Sequence, residues 1–270
     1  MRSLTCFAAL VGLVAASGAY GQISSINSAV VTTHFFNDIP LAVPTVINSY
    51  PGSISLSEAG VSKPIAGGLD RDTWKFSNDG LTAYQIRNGD YFNASFGLTL
   101  TGSGTPGIGL EAGFLFSNPS GVFGGDAQSL VTAGGVVVQF GGPSYYPFSP
   151  AAGGYPGAGG SVPDYVLGQT YTMGFNYVVD PNTGKDAFQY SVNGQFAASS
   201  PGNPYFDLGG PVGSAGDTLG GYFQIQNDPN NPNNHGTALF SNIIITAVPE
   251  PSALALLGLG ILTLVFRRRR

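Results

Sequence analysis

Tyr171, Met173, Phe175, Tyr177 and Val179 occupy every second position of one segment and alternate with Thr172, Gly174 and Asn176. A period of two places such a set on one face of an extended strand and is incompatible with a helical stripe. The pattern returns at Phe188, Tyr190 and Val192, and Asn193-Gly194 then supplies the favoured two-residue type I′ turn into 195–198. In 91–101, Phe92, Phe96, Leu98 and Leu100 share one parity. The best-defined stretches of the chain are therefore strands, and no amphipathic helix of useful length competes with them.

The remaining expectations follow from the same reading. Strands are expected over 29–36, 45–50, 53–57, 72–76, 112–116, 221–227 and 238–247, with Trp74 facing a core. A strand region is expected over 130–140, with Gly134-Gly135 marking a bulge or bend. Pro40, Pro44, Pro51 and Pro64 confine the early strands to short or edge positions. Ten to twelve strands with glycine and proline turns predict an all-β chain, a β-sandwich or barrel.

Composition narrows the function classes. Between Gln22 and Ala247 lie twelve Asp and two Glu against Lys63, Lys75, Lys185, Arg71 and Arg87, a net charge of −9. Such a domain has no basic stripe for phosphates, which excludes nucleic acid as a partner. With 13 Tyr, 18 Phe and only 9% charged residues, the chain is not composed like a disordered one. About 226 residues suffice for one large domain with a full core.

Few residue groupings point to chemistry. Glu58 and Glu111 have no acid at i+2 or i+4, and His34 and His235 each stand alone in sequence. Asp70 and Asp72 flank Arg71 after Gly67-Gly68, where acids ordinarily cap or solvate a turn. They are also the pair, with Glu111 and a distant partner as the other option, that a glycan hydrolase or lyase with atypical acid/base residues would use. No catalytic residue is assigned. Asp180, Asn182 and Asp186 form D-x-N-x-G-x-D around Gly184, a candidate Ca²⁺ loop that equally suits a plain turn. Asp228, Asn230, Asn231, Asn233 and Asn234 form a second oxygen-rich cluster of the same two readings. No other cofactor is expected. The long segment 141–164 carries Tyr145, Tyr146, Phe148 and Tyr155, rings that either cover the end of the domain or stack on pyranose rings of a polysaccharide.

Both ends carry targeting patterns. Met1-Arg2, an apolar run over 4–16 and small residues at Ser17, Gly18, Ala19 and Gly21 form a signal peptide spanning 1–21, cleaved after Gly21 or Ala19. It implies the Sec translocon as a partner. The sole cysteine, Cys6, is removed with it, leaving no disulfide in the mature domain 22–247. At the other end, Val248-Pro249-Glu250-Pro251-Ser252 is a stiff extended element. An apolar run over 253–266 follows, and Arg267, Arg268, Arg269 and Arg270 close the chain. By the positive-inside rule those arginines stay in the cytoplasm, while the domain lies across the membrane. Fourteen helical residues cover about 21 Å, short of a roughly 30 Å hydrocarbon core, which suits a transient anchor.

The PEP element at 249–251, the short transmembrane helix and the arginine cluster, together 248–270, resemble the bacterial PEP-CTERM sorting signal. That resemblance implies an exosortase-type membrane enzyme that recognises the PEP element and removes the tail, leaving the protein at the cell surface or in the extracellular matrix. More diffusely, EAGFLFSNP at 111–119, YSVNG at 190–194 and FSNIIIT at 240–246 are similar to parts of concanavalin A-like jelly rolls. The E-x-D-x-x-E pattern of the glycanases with that fold is absent. The resemblance implies a jelly-roll sandwich, while the acidic, low-charge, Tyr/Phe-rich domain and the missing catalytic constellation point to a structural or polysaccharide-binding role without catalysis.

Overall fold

The computed structural model describes residues 23–37, 39, 42–61, 68–103, 109–118, 125–132, 135–139, 166–197, 202–208, 212, 216–227 and 234–248. After a 3-10 turn at Ile23–Ser25, the chain runs through β1 (Ser28–Asn37), β2 (Val43–Ser49), β3 (Ser53–Ala59), β4 (Leu69–Ser77), β5 (Phe92–Gly102), β6 (Leu110–Asn118) and β7 (Gly125–Thr132). It continues through β8 (Gly135–Gln139), β9 (Thr170–Val179), β10 (Asp186–Val192), β11 (Gln195–Phe196), β12 (Phe206–Asp207), β13 (Thr218–Gln226) and β14 (Gly236–Ala247).

These strands form two sheets, ordered β1-β4-β13-β6-β7-β8 and β11-β10-β9-β5-β14-β3-β2, with β12 paired to β10. All described pairings are antiparallel. The chain crosses between sheets at β1–β2, β3–β4, β4–β5, β5–β6, β8–β9, β12–β13 and β13–β14, so spatial neighbours such as β4 and β13 are far apart in sequence. This is the expected all-β sandwich, wound in the jelly-roll manner. The proline-bearing β2 lies at a sheet edge, as its composition requires.

The 130–140 region differs from expectation. It is not one strand with a bulge but two strands, β7 and β8, paired antiparallel with Thr132 opposite Gly135. The apolar residues Leu130-Val131 and Val136-Val137-Val138 flank the glycine pair, so the end of one strand and the start of the next read as a single strand region. The Asn193-Gly194 turn is as expected: both residues have positive φ (51° and 79°), and Val192 pairs with Gln195.

Period-two alternation sends one face of each sheet inward. From the six-stranded sheet come Trp74, Phe76, Phe114, Phe116, Phe223 and Ile225; from the other come Leu56, Phe92, Phe96, Leu98, Phe175 and Phe240, all buried. Trp74 meets Phe96 and Phe240 across the gap with ring centroids at 5.9 and 5.6 Å, and Phe96 meets Phe114 at 4.0 Å. Each such aromatic pair contributes about 0.5–1.5 kcal/mol beyond its area burial.

β13 accommodates Trp74 through Gly221. A Cβ there would strike the Trp74 indole nitrogen and lie 2.7 Å from Cε2 and 2.8 Å from the Phe240 ring. Gly221→Ala is therefore expected to destabilise the domain by about 1–3 kcal/mol through overpacking, read as a lowered urea midpoint with an unchanged slope. An unaltered midpoint would mean that the Trp74 layer is not packed in this way.

Candidate functional site

β4 has two chemically different faces. Its inward parity begins with Asp70 and Asp72 and continues with Trp74 and Phe76, so two carboxylates extend the hydrophobic row between the sheets. Both are 0% exposed. They neither cap nor solvate a turn, contrary to the expectation from Gly67-Gly68.

Two other strands complete the group. In β1 the pairing with β4 is regular from Ser28 to Thr32, slips, and resumes at Phe36. His34 sits in this bulge with φ of 50°, a left-handed conformation that redirects the side chain. Its backbone N–H donates to Asp72 Oδ1 at 2.9 Å, and its Nδ1 lies 2.7 Å from Asp70 Oδ2. From the opposite sheet, β3 points Ile54, Leu56 and then Glu58 inward. Glu58 is 1% exposed, and neither of its oxygens meets a hydrogen-bond donor. Asp70 Oδ1 and Asp72 Oδ2 are likewise buried and unpartnered. The ligand atoms of His34, Glu58, Asp70 and Asp72 lie within 4.8 Å of one another. Among the described residues this is the group of His, Cys, Asp and Glu side chains arranged to hold a metal ion.

Burial drives the electrostatics. The Glu58 carboxyl is pushed up to about 9, first by desolvation, then by repulsion from Asp72 and by a proton shared with its carboxylate, and last by repulsion from Asp70. Asp72 and Asp70 are raised as well, again chiefly by burial, with His34 pulling in the opposite direction on both. Unpaired buried carboxylates are costly, so either a proton or a cation must stand between Glu58 and Asp72.

The outward parity of β4 carries a separate array. Arg71 Nε donates to Gln224 Oε1 at 2.7 Å, and the guanidinium lies 4.8 Å from the centre of the Tyr222 ring and 3.8 Å from Glu111. Tyr222 OH donates to Glu111 Oε1 at 3.3 Å. Glu111, whose carboxyl is raised by burial and held back by Arg71 and Tyr222, is thus joined to β4 and, 111 residues away, to β13. Lys75, on the same face, donates to Leu115 O and Ser117 Oγ.

The D-x-N-x-G-x-D residues make the hydrogen bonds of a turn. Asp180 accepts from the Asn182 backbone at 2.8 Å and from Thr183 Oγ1 at 3.2 Å, and Gly184 turns the chain with φ of 70°. Asp186 accepts from Tyr91 OH and Tyr177 OH at 2.8 and 2.7 Å. Tyr145, Tyr146, Phe148 and Tyr155 lie outside the described residues, as do the signal peptide, the tail from 249 onward and residues 228–233 of the second oxygen-rich cluster. Asn234 of that cluster is buried, donates to Gln226 O and accepts from Ser103 Oγ. Sequence reasoning missed the His34–Glu58–Asp70–Asp72 group because its members come from three strands and two sheets. Only the i, i+2 spacing of the aspartates was visible.

At the C-terminus, β14 runs between β5 and β3, and its last described bond is Val248 N–H to Tyr91 O at 2.9 Å. The last described residue, Val248, immediately precedes the Pro-Glu-Pro element. Residues 247–270 match the family described as the PEP-CTERM protein-sorting motif. The chain carries a PEP-CTERM sorting signal. That signal marks an exported, sorted surface protein, with exosortase as its processing enzyme and a membrane-held stage before release. Among the described residues no helix is long and apolar enough to cross a membrane; the PEP-CTERM tail lies outside them. No curated protein matches the chain in sequence. Similar solved structures include the alginate lyase AlgAT5 of polysaccharide lyase family 7, at 11% identity and a TM-score of 0.41 over 79% of this chain and 85% of that one. The cellulose-induced protein Cip1 is similar at 12% and 0.41, over 82% and 92%. A Lotus tetragonolobus seed lectin is similar at 10% and 0.39, over 82% and 94%.

The raised Glu58 carboxyl has a testable consequence in protein freed of metal by a chelator. A carboxyl whose folded pKa exceeds its unfolded value stabilises the fold below the unfolded pKa, and that contribution is lost as pH rises toward the folded one. Thermal stability should fall as pH is raised from about 4.5 to about 9, and Glu58→Gln should flatten that slope. A slope that persists in the variant would remove Glu58 as its source.

Proposed function

We propose that the chain is a non-catalytic matrix protein: an exported β-sandwich, delivered and released through its PEP-CTERM tail, with a structural or polysaccharide-binding role outside the cell. The observation that carries this reading is how the carboxylates are used. Asp79 accepts from Leu81, Thr82 and Ser77; Asp90 from Tyr84 and Arg87; Asp186 from two tyrosines. Glu58, Asp70 and Asp72 are closed between the sheets. Acid/base hydrolysis of a glycan instead requires two carboxyl groups facing each other across a space that admits a sugar ring.

Polysaccharide contact is assigned to the Tyr/Phe-rich segment 141–164, whose rings have the flat apolar faces that stack on pyranoses. The mature protein should be retained on insoluble matrix polysaccharide from its host. Replacing Tyr145 and Tyr146 by Ala should weaken retention by about 30-fold, if each ring contributes about 1 kcal/mol. Uniformly blank pull-downs and glycan arrays would remove the sugar-binding role and leave the structural one.

A second reading, a glycan hydrolase or lyase with atypical acid/base residues, has one observation in its favour. Arg71, Gln224, Glu111 and Tyr222 share the outward face of the six-stranded sheet, with the phenol against the carboxylate. It predicts release of reducing ends or unsaturated products from a matrix polysaccharide, abolished by Tyr222→Phe. No release from any such polymer would count against it.

A further inference from the structure

We propose that His34, Glu58, Asp70 and Asp72 bind one divalent cation, and that this cation ties the two sheets of the sandwich together. Three observations converge. First, the four ligand atoms lie within 4.8 Å of one another, so the sphere that encloses them has a radius of about 2.4 to 2.9 Å. A contraction of a few tenths of an ångström brings them to the roughly 2.3–2.6 Å of oxygen ligation to Ca²⁺, and a larger one to the roughly 2.0–2.2 Å of first-row metals.

Second, His34 meets Asp70 Oδ2 and Asp72 Oδ1 and leaves the other oxygens of the group short of partners. Both Glu58 oxygens, Asp70 Oδ1 and Asp72 Oδ2 are buried with no hydrogen-bond donor, although Glu58 and both aspartates are 0–1% exposed. Arg71, the nearest cation in sequence, turns to the opposite face of β4, toward Glu111 and Tyr222. Third, the His34 side chain is 30% exposed while the acids are closed off, so the imidazole marks the route by which an ion enters.

The placement gives the ion a structural task. β1 and β4 belong to the six-stranded sheet and β3 to the other. A cation held by all four residues bridges the layers at the end of the aromatic core, in a mature domain that lacks cysteine for a disulfide. One imidazole among three carboxylates selects a first-row ion such as Mn²⁺ or Zn²⁺ over Ca²⁺ and Mg²⁺, which prefer oxygen alone.

The test uses the exported protein purified from its host, stripped with chelator and titrated calorimetrically with Mn²⁺, Zn²⁺ and Ca²⁺ separately. Bound metal is measured by elemental analysis, and thermal midpoint follows each addition. The expected result is one Mn²⁺ or Zn²⁺ per chain, bound at least about 10-fold more tightly than Ca²⁺, with a raised midpoint. Glu58→Gln and Asp72→Asn should each lose binding by at least about 10-fold, and His34→Ala should erase the preference over Ca²⁺. Should a variant fail to fold, the wild-type titration still decides. Binding of Ca²⁺ alone would overturn the assignment of His34 as a ligand. No binding of any of the three ions would overturn the site, leaving a proton between Glu58 and Asp72.

Discussion

The meeting of Trp74 with Phe96 and Phe240 fixes how the rest of the chain is arranged. It joins the second strand of one sheet to two central strands of the other, with centroid distances of 5.9 and 5.6 Å. β13 must pass beside the indole with glycine at 221, and β6 must present Phe114 to Phe96. Fixing the register of β4 at Trp74 also fixes Asp72 and Asp70 on the same inward face. The aromatic layer and the carboxylate cluster are thus two ends of one strand, and the packing of the first forces the burial of the second.

That coupling explains the unusual electrostatics. A sheet whose side-chain period is two cannot turn Asp70 and Asp72 outward without turning Trp74 and Phe76 outward too. Arg71, Thr73 and Lys75 are held to the outer face by the same rule, so the local cation and the local acids are separated by the backbone. The bulge in β1 reverses this for one residue only. It delivers His34, backbone N–H and ring nitrogen together, to the acids.

Much of the fold was legible in the chain. Alternation at 171–179 and 188–192, the Asn193-Gly194 turn and the proline-marked edge strand β2 each carry a local physical signal, and each appears where that signal puts it. The tail was legible for the same reason, since its three parts are contiguous. β7 and β8 were merged because neither strand carries a polar boundary at 133–135. The interior cluster was not legible. Glu58 reaches Asp72 only through a crossing between sheets, and His34 reaches Asp70 only because a bulge breaks the alternation that sequence reading relies on. Placing Asp70 and Asp72 at a solvated turn was the reasonable local inference, and the tertiary fold overrode it.

The PEP-CTERM tail marks an exported protein, and it is expected to be removed as an appendage to the described sandwich. β14 is secured on both sides, by β5 and β3, and its last bond to Tyr91 precedes Pro249. Removal of the tail is therefore expected to leave these described strand pairings in place. Intact mass of the protein recovered from its host, fraction by fraction, tests this most directly. The expected result is a folded species in the surface or released fraction whose C-terminus falls within 248–252 and whose N-terminus is Tyr20 or Gln22. A species confined to the inner membrane and retaining Arg267, Arg268, Arg269 and Arg270 would contradict it and make the tail a permanent anchor.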